Sequence, residues 1–167
     1  DILVNNAGIC PRCSALEYTE EMWDQIIQLN QKSVFFLSQL AARQFVKQKS
    51  RGKIINLASM MSFLGGFNTT AYTASKSAVA GLTRVCASEW GALGINVNAL
   101  APGWIKTGLS AALVADTARY ESVKARIPMG DWGEPDVFKG IAVLLASSAS
   151  DYINGAIIPV DGGYLTK

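Results

Sequence analysis

Four short apolar runs punctuate the chain: Ile2-Leu3-Val4, Lys53 to Ala58, Ile95 to Leu100 and Ala156 to Val160. Between them lie longer stretches whose apolar residues recur every three or four positions. A chain that alternates in this way folds as successive βαβ units around a parallel sheet, because each strand must be covered by the helix that follows it. The run from Lys53 to Ala58 is nearly continuous in apolar side chains, as burial on both faces requires. Pro159 has no amide to give to a ladder, so the last strand is expected at an edge.

Thr19 is placed to cap a helix running to about Lys49, with Glu20 and Glu21 favourable in its first turn. Trp23, Ile26, Val34, Leu37, Ala41 and Phe45 form its expected buried stripe, and Asn30 falls on the same stripe. A second helix spans about Thr70 to Trp90, closed by Gly91 or Gly94. Pro135 opens a third, through about Leu145. Residues 104–130 lack clean periodicity, as lids and binding loops often do. Neither an internal repeat nor a Gly/Ser linker divides residues 1–167, which read as part of a single domain.

The chemistry available is narrowed by what is missing. Among 167 residues there is no histidine, which excludes a Ser-His-Asp triad and every His-containing metal site. Acid–base work near neutral pH falls to Tyr, Lys, Cys or a carboxylate. A net charge of +2 is too small for a nucleic-acid footprint, and no apolar run reaches the roughly 18 residues of a membrane span. Three cysteines do not make a disulfide framework, so a reducing compartment, the cytoplasm, is expected. The chain opens on Asp1 and enters an apolar strand at once, so a further N-terminal portion is expected before it.

Tyr72-Thr73-Ala74-Ser75-Lys76 sets a phenol and an ammonium on one helical face. The cation and the positive helix end are expected to move the Tyr72 pKa down towards neutrality and make it a general acid/base. The plainer reading is a half-buried Tyr beside a snorkelling Lys. Ser59 follows the strand ending at Ala58, at the sheet edge where parallel α/β folds bind ligands. Its hydroxyl could polarise a carbonyl while Tyr72 supplies a proton; Ser62 is a second hydroxyl that spacing does not rank. Either serine could equally serve a turn. Asn30 could hold a water linked to Lys76, or be a satisfied core amide.

Asn5-Asn6-Ala7-Gly8, Asn30, Ser59, Tyr72-x-x-x-Lys76 and Pro102-Gly103, in this order and spacing, resemble the short-chain dehydrogenase/reductase family over the whole chain. The resemblance implies a Rossmann-type, three-layer α/β fold of strand order 3-2-1-4-5-6-7, of which this chain would supply strands 4 to 7. It implies a catalytic tetrad of Asn30, Ser59, Tyr72 and Lys76 around NAD or NADP, with NAD slightly favoured, and picks Ser59 over Ser62. Lys76 would hold the ribose hydroxyls and lower the Tyr72 pKa, and Asn30 would hold a relay water. Asn5, Asn6, Ala7 and Gly8 would lie against the adenosine ribose and the sheet. Pro102, Gly103, Ile105 and Thr107 would lie by the nicotinamide.

Arg126-Ile127-Pro128, Trp132-Gly133-Glu134-Pro135, Ser150 to Gly155 and Lys32 to Phe36 are similar to the family's sugar-acid dehydrogenases. An acid substrate needs a cation, and Arg12, Lys106 and Arg126 are candidates. The family's Gly-rich phosphate turn has no counterpart here, so the isolated 167 residues are expected to bind NAD(P) weakly and turn over little. The complete protein is expected to form a homo-oligomer, a dimer or tetramer, through its two long helices, and to bind no nucleic acid or membrane. Two rival readings remain: a non-catalytic scaffold of the same fold, and a thiol redox protein using Cys10-Pro11-Arg12-Cys13.

Overall fold

The computed structural model describes residues 1–166. Strands β1 (Ile2–Asn5), β2 (Gly52–Leu57), β3 (Ile95–Pro102) and β4 (Ile157–Val160) form one parallel sheet in the order β1-β2-β3-β4. Alternation along β2 sends successive side chains to opposite faces. Ile54 packs with Ala42, Phe45, Cys86 and Ala87 beneath the long helices, while Ile55 packs with Leu100 and Leu145 on the other side. Helices therefore cover both faces, giving the three layers expected. Pro159 of β4 pairs beside Ala101 at one edge. At the other edge of the described sheet, Ile2 and Val4 of β1 are half exposed.

The first long helix starts where Thr19 Oγ1 accepts from Met22 N at 3.3 Å. It contains a feature that periodicity did not anticipate. α1 (Glu20–Ile27) passes through a π-helical segment, Gln28–Lys32, into α2 (Ser33–Gln48). A π turn takes in one extra residue, and beyond it Val34 and Phe45 stay buried while Ser38 and Ala42 take the places expected of Leu37 and Ala41. The expected Leu37 is 49% exposed and Trp23 38% exposed, while the buried residues are Ile26, Asn30, Val34, Ser38, Ala42 and Phe45. Phe36, Leu37, Leu40 and Val46 are left facing outward.

α3 (Thr70–Trp90) matches its expected span, and Gly94 supplies the left-handed turn at φ +79° before β3. The aperiodic segment is more ordered than expected: it holds α4 (Ala111–Ala115) and α5 (Thr117–Lys124). Its base is closed by a bridge, in which Gly133 N donates to Trp104 O and Lys106 N to Gly133 O, both at 2.9 Å. Val123 and Ile127 turn inward onto Met60, Trp132 and Tyr164, so few apolar residues remain to show a period. Pro135 opens a single 3-10 turn to Phe138, and α6 (Lys139–Ala146) follows. Among the described residues no helix is long and apolar enough to cross a membrane.

Candidate active site

Parallel pairing brings the C-terminal ends of all the strands to one edge, and there a crevice of about 590 Å³ opens. Ser59, Tyr72 and Lys76 line it together with Asn6, Gly8, Pro102, Gly103, Ile105 and Thr107. Ser59 reaches the crevice because β2 ends at Leu57 and turns; its hydroxyl also accepts from Met61 N at 3.2 Å. Ser62 is diverted: its hydroxyl donates to the Lys76 carbonyl at 2.7 Å, a fastening of the loop onto α3. Geometry thus separates the two serines that spacing left unranked.

Lys76 is buried, and its ammonium donates to Leu57 O at 2.5 Å. Burial lowers it to about 8. Burial also pushes the Tyr72 phenol up to about 12, opposed by hydrogen bonding from Ser59, with a smaller downward pull from Arg12. This reverses the expected move towards neutrality. The cost of desolvating a phenolate outweighs nearby cations, and the Lys76 ammonium lies over the ring face, 5.7 Å from its centroid.

Asn30 sits under the crevice floor, fully buried in the π segment. Its amide donates to Ile9 O at 2.8 Å and accepts from Ile9 N at 2.9 Å, with a longer contact to Ser75 Oγ at 3.3 Å. The side chain thus clamps the Ile9 backbone with both amide hydrogens and one Oδ1 lone pair engaged, and the second Oδ1 lone pair is left over. Asn5 is also turned away, donating to Ser38 Oγ and Asn56 Oδ1 between sheet and helices. Ala7 is exposed outside the crevice lining. At Gly8 an added Cβ would stand 3.4 Å from Asn30 Oδ1, and at Gly103 it would stand 2.6 Å from Asp161 Cα. Gly103 is needed first for close packing of two chain segments. Thr107 N is held by Ser110 Oγ at 2.9 Å.

Of the three candidate cations, Arg12 alone lines the crevice. Lys106 pairs with Glu134 at 2.9 Å, and Arg126 lies over the Tyr164 ring. Ser150 and Asp151, in a stretch matched to sugar-acid enzymes, hold Lys53 at the opposite edge and are structural. Sequence reasoning missed the apolar wall made by Met60, Met61, Leu109 and Leu113. The i, i+4 pair Leu109 and Leu113 was the only signal for it. Cys10-Pro11-Arg12-Cys13 lies in a loop rather than at a helix start, and no metal-binding cluster exists among the described residues.

A family model described as enoyl-(acyl carrier protein) reductase, of the short-chain dehydrogenase type, matches residues 1–165. The chain is 57% identical over 167 residues to 2-dehydro-3-deoxy-D-gluconate 5-dehydrogenase of Dickeya dadantii, covering 100% of this chain and 66% of that protein. It is 41% identical over 163 residues to gluconate 5-dehydrogenase of Gluconobacter oxydans, covering 98% of this chain and 63% of that one. The chain thus spans just under two thirds of the length of these curated relatives. A crystal structure from Agrobacterium tumefaciens with bound NADP, assigned as a 2-deoxy-D-gluconate 3-dehydrogenase, superposes with TM-score 0.98 at 48% identity, covering 100% of this chain and 68% of that one. With its parallel sheet, its crevice at the strand ends and this match along almost its whole length, the chain belongs to the short-chain dehydrogenase/reductase family.

Proposed function

We propose that the whole protein interconverts a secondary alcohol and a ketone on a sugar acid such as a deoxygluconate, using NAD(P). The observation that carries this reading is the convergence of Ser59, Tyr72, Lys76 and the cation Arg12 on one crevice. Support for the substrate class comes from relatives named for 2-dehydro-3-deoxy-D-gluconate and gluconate. Solved neighbours carry NADP in three cases and NADH in two, so the reading takes both dinucleotides.

The residues present fit such a cofactor. Lys76 has three ammonium hydrogens, and Leu57 O is the one acceptor that takes any of them among the described residues. The rest are free for a ribose diol. Pro102, Gly103, Ile105 and Thr107 would flank the nicotinamide. When bound, the cofactor supplies or accepts the hydride.

The chain's own residues handle the proton and the carbonyl. A phenol at about 12 is protonated at neutral pH, so Tyr72 is ready to donate to a carbonyl oxygen during reduction. The Ser59 hydroxyl polarises the same oxygen, and the charged Lys76 stabilises the phenolate that remains. In the oxidising direction Tyr72 takes the proton back. Asn30 acts one layer below, fixing the Ile9 backbone from which the Arg12 loop departs. Arg12 is assigned the substrate carboxylate. The outward apolar residues of α2, with Val85 of α3, support a homo-oligomer built on the long helices. The three free cysteines support work in a reducing compartment.

Replacing Tyr72 by Phe removes one hydroxyl. Ketone reduction by the full-length enzyme should fall by on the order of 100-fold or more, with NADPH affinity and circular dichroism unchanged. Turnover that survives the change would reject the mechanism and favour the scaffold reading.

A further inference from the structure

The loop that carries Arg12 holds chemistry that the proposed reaction does not use. Cys10 and Cys13 flank Pro11-Arg12, both are free, and both are half-buried. Cys10 lines the crevice beside Arg12, whereas Cys13 is not part of its lining. No turn closes the four residues. Cys13 N donates outward to Asn68 O at 3.1 Å, and Cys13 bridges Thr69, which precedes the helix bearing Tyr72. The other end of the loop is held at Ile9 by Asn30.

Two cysteines at this spacing can join only if the segment between them bends. Residues without a turn span up to roughly 10 Å over three steps, whereas a disulfide needs its Cα atoms about 4.4–6.8 Å apart. With Ile9 clamped by two hydrogen bonds and Cys13 by one, Cys13 is the end expected to yield, at the expense of its bond to Asn68. Arg12 lies inside the ring so formed and must turn with it.

We propose that Cys10 and Cys13 form a reversible disulfide modification site, and that oxidation of the pair withdraws Arg12 from the crevice and suppresses sugar-acid turnover. The effect on turnover rests on the function proposed above; the disulfide and the loop movement do not. The oxidant class is a peroxide. One thiol attacks the O–O bond, releasing water and leaving a sulfenic acid. The second thiol then displaces a further water as the S–S bond forms. Two thiols lose two electrons and two protons in total, and one hydrogen peroxide becomes two waters. A disulfide formed against an existing backbone pairing is of the labile kind, open to reduction by small thiols.

The test treats the full-length protein with hydrogen peroxide and then with dithiothreitol. The peptide containing Cys10 and Cys13 should lose about 2 Da by mass spectrometry. Amide hydrogen exchange should rise around residues 10–18 and 66–70, and turnover of a sugar acid should fall at least about tenfold while a neutral ketone is spared. Dithiothreitol should reverse all of these, and Cys13→Ser should keep its activity throughout. Absence of the 2 Da loss, or oxidation confined to one sulfur, would overturn the proposal. So would a disulfide that leaves exchange at Asn68 and Thr69 unchanged. If the reduced enzyme turns over no sugar acid at all, the proposed function fails, and mass and exchange alone still decide the site.

Discussion

The Lys76 ammonium stands over the face of the Tyr72 ring, 5.7 Å from its centroid, and sends a hydrogen to the Leu57 carbonyl at 2.5 Å. The i, i+4 spacing placed these groups together, and packing buried both of them. Burial therefore controls both groups, raising Tyr72 to about 12 and lowering Lys76 to about 8.

A pH dependence follows, with a definite sign. Lys76 is charged below about 8 and neutral above it, so the hold on a cofactor diol proposed for it should weaken as pH rises through that value. NADPH affinity, read by fluorescence, should drop severalfold across this range, and Lys76→Met should be weak and flat. Because the folded value lies below the ordinary lysine value, Lys76 also makes the fold gain stability as pH rises above about 8. An unchanged affinity across the range would contradict the assignment.

Arg12 is the crevice cation outside the Tyr72–Lys76 pair. Arg12→Ala should raise KM for a sugar acid by about tenfold, equivalent to about 1.4 kcal/mol, and leave KM for a neutral ketone nearly unchanged. Equal effects on both substrates would remove Arg12 from recognition.

Asn30→Ala should be costly to the fold itself. It deletes both hydrogen bonds to Ile9 and leaves a buried N–H and C=O unpaired. A loss of about 2–4 kcal/mol follows, lowering Tm by on the order of 10 °C in a chain of this size. Asn30→Asp keeps the acceptor for Ile9 N and should recover part of the loss. A Tm within a degree of the parent would show that the clamp contributes little.

Gly103→Ala should reduce stability before it touches cofactor binding. The new Cβ would lie 2.6 Å from Asp161 Cα, and backbone cannot move aside as a flexible side chain can. Urea denaturation should show a loss of about 1–3 kcal/mol. A stable variant with weakened NADPH binding would instead support a direct cofactor role.

Much of this architecture was legible in the sequence because local signals agreed with global ones. Pro159 announced its edge, Thr19 its cap, and the apolar run of β2 its double burial. Phase errors such as Leu37 arose because a π turn leaves no compositional mark; only the polar Asn30 on an apolar stripe hinted at it. In the site, residue types and spacing brought Ser59, Tyr72 and Lys76 together, but they could not give the direction of the pKa shifts. Those depend on burial that only the packed chain creates. Asn5 looked like part of a ligand turn, yet its side chain bonds across the sheet to Asn56, fifty-one positions away.

The bridge between Ile105 and Gly133 has an implication for how such enzymes diversify. Two backbone hydrogen bonds and the Lys106–Glu134 pair close the neck of the excursion that contains α4 and α5. The neck is joined mainly through backbone, and beyond it Val123 and Ile127 anchor the excursion on Met60, Trp132 and Tyr164. A replacement excursion that kept these two anchors could be accommodated on the same neck. It could present a new wall to the crevice at Leu109 and Leu113 while the sheet, Ser59 and Tyr72 stay where they are. Grafting that lobe between relatives should therefore alter the crevice wall while Ser59 and Tyr72 keep their positions.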